Sequence, residues 1–342
     1  MKIEELTTEL EAAYSAWLLE QPTAMLYHSL PYLKLIAELT QGQPQVFLAT
    51  KAEKICGAWS AVSRDGPFGK VINSLPYYGS HGGPIYDHEA AANLLVERWN
   101  ALINSEGVGS ATLVENILDR SGLGSAVTHE IEDYRIGQIT DIAFTENHAA
   151  GLMERFHSKT RNVVRKSEKQ GFTVAVENDA LDFLYETHRD NLKAIGGQAK
   201  SEAFFRAIPE RFVANKDYTI WVARHQGQPV AALLLFYFRQ TVEYFAPVIV
   251  ESWREAQPLS LLIYRSMIAA SEAGYRRWNW GGTWATQDGV YHFKKRWGAE
   301  DHHYKYFTHL ANPNIRQAKP ADLLTHYPGF FVIPFSQLVP SS

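Results

Sequence analysis

Arg276–Gly298 reads RRWNWGGTWATQDGVYHFKKRWG: a strand from Arg276 to Trp280, a Gly-Gly break, a polar loop and a short helix that stops at Gly298. Gly281 and Gly282 carry no Cβ, so the backbone there bends sharply or lets a ligand come close. Val290, Phe293 and Trp297 fall at i, i+3 and i+7 and predict an apolar stripe along the helix. Lys294 sits at the edge of that stripe, within a turn of Tyr291. A cation beside a dry face, just past a glycine break, is placed to stabilise a developing anion. The same residues also fit a solvated lysine on an ordinary amphipathic helix. An unperturbed lysine, with a pKa of about 10.4, is cationic at neutral pH, which suits an electrostatic role better than proton abstraction.

Outward from this stretch, the chain repeats itself. Tyr218–Val250 predicts three strands (YTIWVAR, PVAALLLFYF, TVEYFAPVIV), followed by a helix opened by Pro258 and closed before Gly274. Earlier, Val46–Val62 predicts a hairpin, Lys70–Leu75 a strand, and Asp87–Gly107 a helix with Asp87 as N-cap. Ser110–Val114 is the strand that follows. Side by side, Val46 aligns with Ile220 and Glu106 with Ala273, so one supersecondary unit occurs twice. The remainder predicts helix over Met1–Leu39 with an interruption at Pro22, strands at Arg135–Phe144 and Asp301–Thr308, and two helices within Leu181–Val213. The expected organisation is an α/β first domain over 1–150 and a second over 151–311. Residues 312–342 are expected to fold back on the first.

NWGG, a loop and GVYHFKKRWGAE together resemble the C-terminal signature of the Fem family of aminoacyltransferases, within the GNAT acyltransferase superfamily. Phe293, Lys294, Trp297 and Gly298 match the family's Phe-Lys pattern. The resemblance implies two tandem GNAT-like domains, mixed sheets flanked by helices, with no coiled-coil arm because no heptad insert is present. It implies Lys294 and Phe293 as catalytic residues, with Gly281, Gly282 and Tyr291 lining the substrate. It further implies that Lys34, on a helix after His28–Ser29, contacts the diphosphate of a nucleotide-linked substrate. A surface lysine without a role is the other reading of Lys34. Arg206, or else Arg211, matches an arginine used for uridine-diphosphate substrates, and Tyr78 belongs to a PYYGSHGGP loop similar to one facing the family's cleft. Phe156–Gly171 matches the family's Arg-rich helix. Its Arg161, Arg165 and Lys169 form one basic face, either solvated or in contact with phosphate.

The chemistry implied is amide formation by attack of an amine on an activated acyl carbonyl, with no resident cofactor. Aminoacyl-tRNA is the expected donor and a peptidoglycan precursor the expected acceptor, nucleotide-linked or lipid-linked. An acyl-CoA-dependent N-acyltransferase acting on polysaccharide or lipid is the alternative, and a catalytically silent binder of a nucleotide-sugar or peptide a third reading. Acetyl-CoA users carry a glycine-rich pyrophosphate loop after the fourth strand, whereas Val250–Ser260 has no glycine and a proline. No Gly-x-Ser-x-Gly and no His-Glu-x-x-His occurs, so neither a serine nucleophile nor a metal is expected. The general base stays open among Asp288, His292 and Asp141.

A net charge of −4 argues against wrapping DNA but leaves room for one tRNA acceptor end. The single cysteine, Cys56, fits a reducing cytoplasm. No apolar run is long enough to span a bilayer. The apolar tail Gly329–Val339 has two uses open to it, packing onto the body or touching a membrane surface.

Overall fold

Helix is expected from Met1, yet Lys2–Glu5 forms strand β1, which pairs antiparallel with β2 (Gln43–Lys51), Lys2 opposite Thr50. Nothing local in KIEE asks for a strand; the waiting edge of β2 decides it. The computed structural model describes residues 1–77, 81–119, 121–284 and 286–339. By its contacts the chain divides into unit 1, Met1–Arg135 with His303–Ser342, and unit 2, Ile136–His302.

In unit 1, helices α1 (Glu11–Glu20) and α2 (Leu30–Thr40) lead into the hairpin of β2 and β3 (Lys54–Arg64). Strand β4 (Lys70–Asn73) continues it antiparallel, and the short β5 (Ile85–Tyr86) also pairs with β3. Helix α3 (Glu89–Ile103) is capped by His88, whose Nδ1 accepts the Ala91 N–H, one residue past the expected Asp87. It packs Leu95 and Trp99 on Trp59 and Ile72, the stacked Trp59–Trp99 pair lying 4.6 Å apart. Strand β6 (Val108–Val114) then returns parallel to β4.

Strand β7 (Ile131–Asp141) carries the chain into unit 2, where α4 (His148–Arg155) and α5 (Ser158–Ser167) follow. Next come β8 (Thr173–Val176), α6 (Leu181–Ala194) and α7 (Glu202–Arg211). Strands β9 (Tyr218–His225), β10 (Gln228–Phe238) and β11 (Thr241–Ile249) form the expected antiparallel set. Helix α8 (Pro258–Glu272) buries Leu262, Ile263 and Met267 against it. Strand β12 (Arg277–Trp284) pairs parallel with β11, α9 (Asp288–Arg296) follows, and β13 (Glu300–His309) leaves unit 2. The last helix, α10 (Pro320–His326), belongs to unit 1.

Strand order is β1-β2-β3-β4-β6-β13 within unit 1 and β7-β12-β11-β10-β9-β8 within unit 2. Hairpin, third strand, long helix and a strand parallel to the third thus occur in both, so the chain holds two tandem α/β units of one order. The tail buries Phe330, Val332 and Ile333 in unit 1.

Candidate functional site

The site is built on β12. The glycine pair does not end this strand, as expected, but lies inside it. Gly281 adopts φ +74°, a conformation open to glycine, and Asn279 Oδ1 accepts its N–H at 3.0 Å. The kink leaves the Gly281 and Gly282 carbonyls to α9. The helix turns Lys294 inward, where Nζ donates to both carbonyls at 3.2 Å and to Thr283 Oγ1 at 2.8 Å.

The expected apolar stripe is corrected here. Trp297 is buried against Trp280 and Phe156, but Val290 and Phe293 are exposed, and Lys294, only 6% exposed, takes the inward position between them. Burial removes water from the ammonium and pulls its pKa down to about 8, so the unperturbed value assumed from sequence does not hold. Lys294 remains mostly charged at neutral pH, yet close enough to its pKa to exchange a proton.

Further polar groups continue from it. Thr283 Oγ1 donates to Gln138 Oε1 at 3.2 Å, and Gln138 Nε2 reaches Asp301 Oδ1 at 3.4 Å. Tyr291 donates to Asp301 Oδ2 at 2.8 Å, and Lys295 pairs with the same carboxylate at 3.3 Å. On β11 the paired register with β12 ends at Glu243–Asn279, where Asn279 Nδ2 donates to Glu243 Oε2 at 2.7 Å inside the unit. Gln138, Asp301 and Glu243 carry no sequence motif, and only Asn279 falls in one, as the first residue of NWGG.

Residues 154–295 match the model of the acetyltransferase (GNAT) domain. The chain carries a GNAT acyltransferase domain. Its matched span includes β12 and α9 up to Lys295, and with them Gly281, Gly282, Tyr291, Phe293 and Lys294. The fold agrees. The crystal structure of FemX superposes with a TM-score of 0.72 at 14% identity, covering 92% of this chain and 98% of that one. L-PGS from Bacillus licheniformis gives 0.55 at 13% identity over 94% and 96%. A tandem GNAT protein from the clavulanic acid pathway gives 0.53 at 11% over 91% and 99%. No curated protein matches the chain in sequence. The chain thus shares the fold of FemX and carries the GNAT domain within it.

The other expected residues belong to other elements. In the GNAT domain Arg206 is exposed on α7 and paired with Glu202 at 2.6 Å and Asp182 at 3.7 Å; Arg211, half-buried, ends the same helix. Lys34, in unit 1, is exposed and held by Glu11 at 2.7 Å. Tyr78 lies outside the described residues. Of the bases left open, Asp141 is exposed, caps the Ala143 N–H and lies 3.7 Å from Arg155, while Asp288 and His292 are exposed on α9. A small open pocket in unit 1 is lined by Glu115, Asn116 and Asp119 with glycines, a different chemistry from that around Lys294. Among the described residues no His/Cys/Asp/Glu group is arranged for a metal, and no helix is long and apolar enough to cross a membrane.

Proposed function

We propose that this acyltransferase moves an aminoacyl group from aminoacyl-tRNA to an amine of a peptidoglycan precursor or a similar acceptor, with Lys294 at the reacting carbonyl. The observation that carries the reading is the buried ammonium of Lys294, held between two glycine carbonyls and Thr283 beside the exposed Phe293. The acceptor nitrogen attacks the ester carbonyl and forms the C–N bond. Negative charge gathers on the carbonyl oxygen. The C–O bond to the ribose then breaks, and the proton lost by the amine ends on the ribose oxygen. A preorganised cation in a dry site stabilises that oxyanion strongly. The two 3.2 Å contacts to carbonyls are the long ones, and the ammonium exchanges one of them for the oxyanion. With a pKa of about 8, Lys294 can relay that proton, giving its own to the leaving oxygen and taking the amine's in its place.

The donor assignment is supported by the segment before α8. Residues Glu251–Ala256 form a 3-10 turn, and the N–H groups of Trp253, Gln257 and Ser260 are bonded to Val250, Arg254 and Gln257 carbonyls. Amides turned to their own carbonyls do not cradle a pyrophosphate. Acyl-CoA is the second reading, because the tandem GNAT neighbour is described with reference to AcCoA.

Incubation of the full chain with charged tRNA, and separately with labelled acyl-CoA, in the presence of amine acceptors separates the two. Transfer from charged tRNA that is lost in Lys294→Met is the expected result. Transfer only from acyl-CoA makes the second reading correct. Tight binding of a nucleotide-linked precursor without turnover from any donor leaves a binding protein.

A further inference from the structure

We propose that α5 and the last turn of α9 form a rail for the phosphodiester backbone of an RNA, which leads its single-stranded end onto an apolar platform beside Lys294. The proposal rests on the reading of Lys294 as the site of acyl transfer.

The charge is local. Across a chain of net charge −4, the segment Arg155–Gln170 holds six cationic side chains and one carboxylate. Helix α5 buries Thr160, Val164 and Ser167, so its opposite arc presents Arg165, Lys166 and Lys169, with Lys159 at the flank. None of these four has a carboxylate partner among the described residues, while the one acid, Glu168, pairs with Arg265. The expected basic face changes slightly: Arg161 turns inward and donates to the Phe156 and Met153 carbonyls.

This arc starts beside the site. The His157 N–H donates to the Arg296 carbonyl at 2.9 Å, joining the start of α5 to the end of α9. Phe156 packs edge-on against Trp297 at 4.9 Å, and Trp297 meets Phe293 at 6.3 Å. Arg296 is exposed at this corner. On the same helix Val290 and Phe293 stand in the open at 43% and 37% exposure, and Trp284, at 49%, ends the strand before it.

Cations that track a backbone and end on exposed aromatic rings fit a single strand, whose phosphates pair with the first and whose bases stack on the second. An anionic membrane is the other polyanion. It fits less well, because the outward arc of α5 has no apolar side chain to enter a bilayer.

Binding of the full-length protein to a labelled hairpin RNA with a short single-stranded 3′ end, read by fluorescence anisotropy across a salt series, tests this. Four backbone cations predict a slope of about −3 in log affinity against log salt, roughly 0.7 for each contact. The triple variant Arg165→Glu/Lys166→Glu/Lys169→Glu is expected to weaken binding more than tenfold and flatten the slope by about 2. Phe293→Ala should weaken binding a few-fold at unchanged slope. Lys51→Glu/Lys54→Glu, on the exposed β2–β3 turn, should change nothing. Absence of RNA binding at low salt, an unchanged triple variant, or equal binding to phosphatidylglycerol vesicles overturns the rail. If transfer from acyl-CoA still depends on Lys294, the rail alone has failed. If the triple variant loses RNA but Lys294→Met keeps full transfer, the acyl-transfer site has failed and the rail stands.

Discussion

The two units share a register and differ in what they do with it. In unit 1, Val71, Ile72 and Asn73 of β4 stand opposite Ser110, Ala111 and Thr112 of β6. In unit 2, Thr241, Val242 and Glu243 of β11 stand opposite Arg277, Trp278 and Asn279 of β12. Ile72 and Val242 each face their long helix, so Asn73 and Glu243 are counterparts on the other face. In unit 1 that face holds the chain's own tail. Asn73 accepts the Phe331 N–H at 2.7 Å and donates to its carbonyl at 2.9 Å, Thr112 donates to the same carbonyl, and Ser110 donates to Val332 O. In unit 2 the face carries Glu243 and Asn279, bonded to one another. Three and four residues further along, Gly282 and Thr283 of unit 2 correspond to Glu115 and Asn116 of unit 1. Bare backbone oxygens meet Lys294 in one; in the other, Glu115 accepts the Lys305 N–H and Asn116 donates to the Thr23 carbonyl. Duplication supplied the sheet twice; the glycine pair and the lysine helix occur in one copy.

The largest expected effect tests whether chemistry is confined to unit 2. Lys294→Met should lower kcat by about 10²- to 10³-fold, ~3–4 kcal/mol of transition-state stabilisation, in a protein with an unchanged circular dichroism spectrum. The pH dependence has a definite sign. Burial sets the Lys294 pKa at about 8, and the charged form is the one that acts, so transfer holds below pH 8 and is lost as pH rises through it. A rate that stays flat to pH 9.5 would remove Lys294 from the mechanism.

Unit 1 buries His28 and unit 2 buries His188, and here the two should behave alike. Burial pulls His28 in unit 1 and His188 in unit 2 down to about 4. The unfolded chain, with its ordinary histidine pKa of about 6.5, takes the proton first. Stability present above pH 6.5 is therefore lost progressively towards pH 4, by at most about 3 kcal/mol for each histidine. Urea melts at pH 7 and pH 4.5 measure it. His188→Gln should flatten the dependence by about half, and an unchanged difference between the two melts would show that His188 is already charged in the folded state.

A smaller effect concerns one device used in both units. Asn73 reads the peptide unit of Phe331, and Asn191 of α6 does the same for Ile249, accepting its N–H at 3.0 Å and donating to its carbonyl at 2.8 Å. Alanine at either position strands two buried backbone groups and should cost about 2 kcal/mol, measured by chemical denaturation. Asn73→Ala should leave kcat per folded molecule unchanged. A fall in kcat as large as its fall in stability would mean that unit 1 takes part in the chemistry.

Much of this was legible because the signals were local. Apolar runs, Pro258 and Gly274 mark the second copy's strands and helix, and the Phe293–Lys294 motif marks its candidate site. The rest depends on partners far away in sequence. Lys2–Glu5 becomes a strand only against β2. Gln138 and Asp301 reach the α9 site from other strands, and Asn73 finds Phe331 near the other end of the chain. The lowered pKa of Lys294 is not legible, since burial is a property of packing and leaves no mark on the sequence of α9.

The smallest expected effect separates resemblance from geometry, again with one residue in each unit. Lys34 is held by Glu11, and Arg206 by Glu202 and Asp182, all on the surface. Exposed ion pairs contribute little because water and salt screen them and long side chains lose freedom in making them. Lys34→Ala and Arg206→Ala should therefore leave the thermal melt and kcat within error of the parent. KM for a nucleotide-linked acceptor is the discriminating readout, because a diphosphate contact acts there and a surface ion pair does not. With both charges already engaged by carboxylates, KM is expected to stay constant. A tenfold rise in either variant, at an unchanged melt, would mean that the diphosphate displaces those carboxylates on binding and would return that residue to the site.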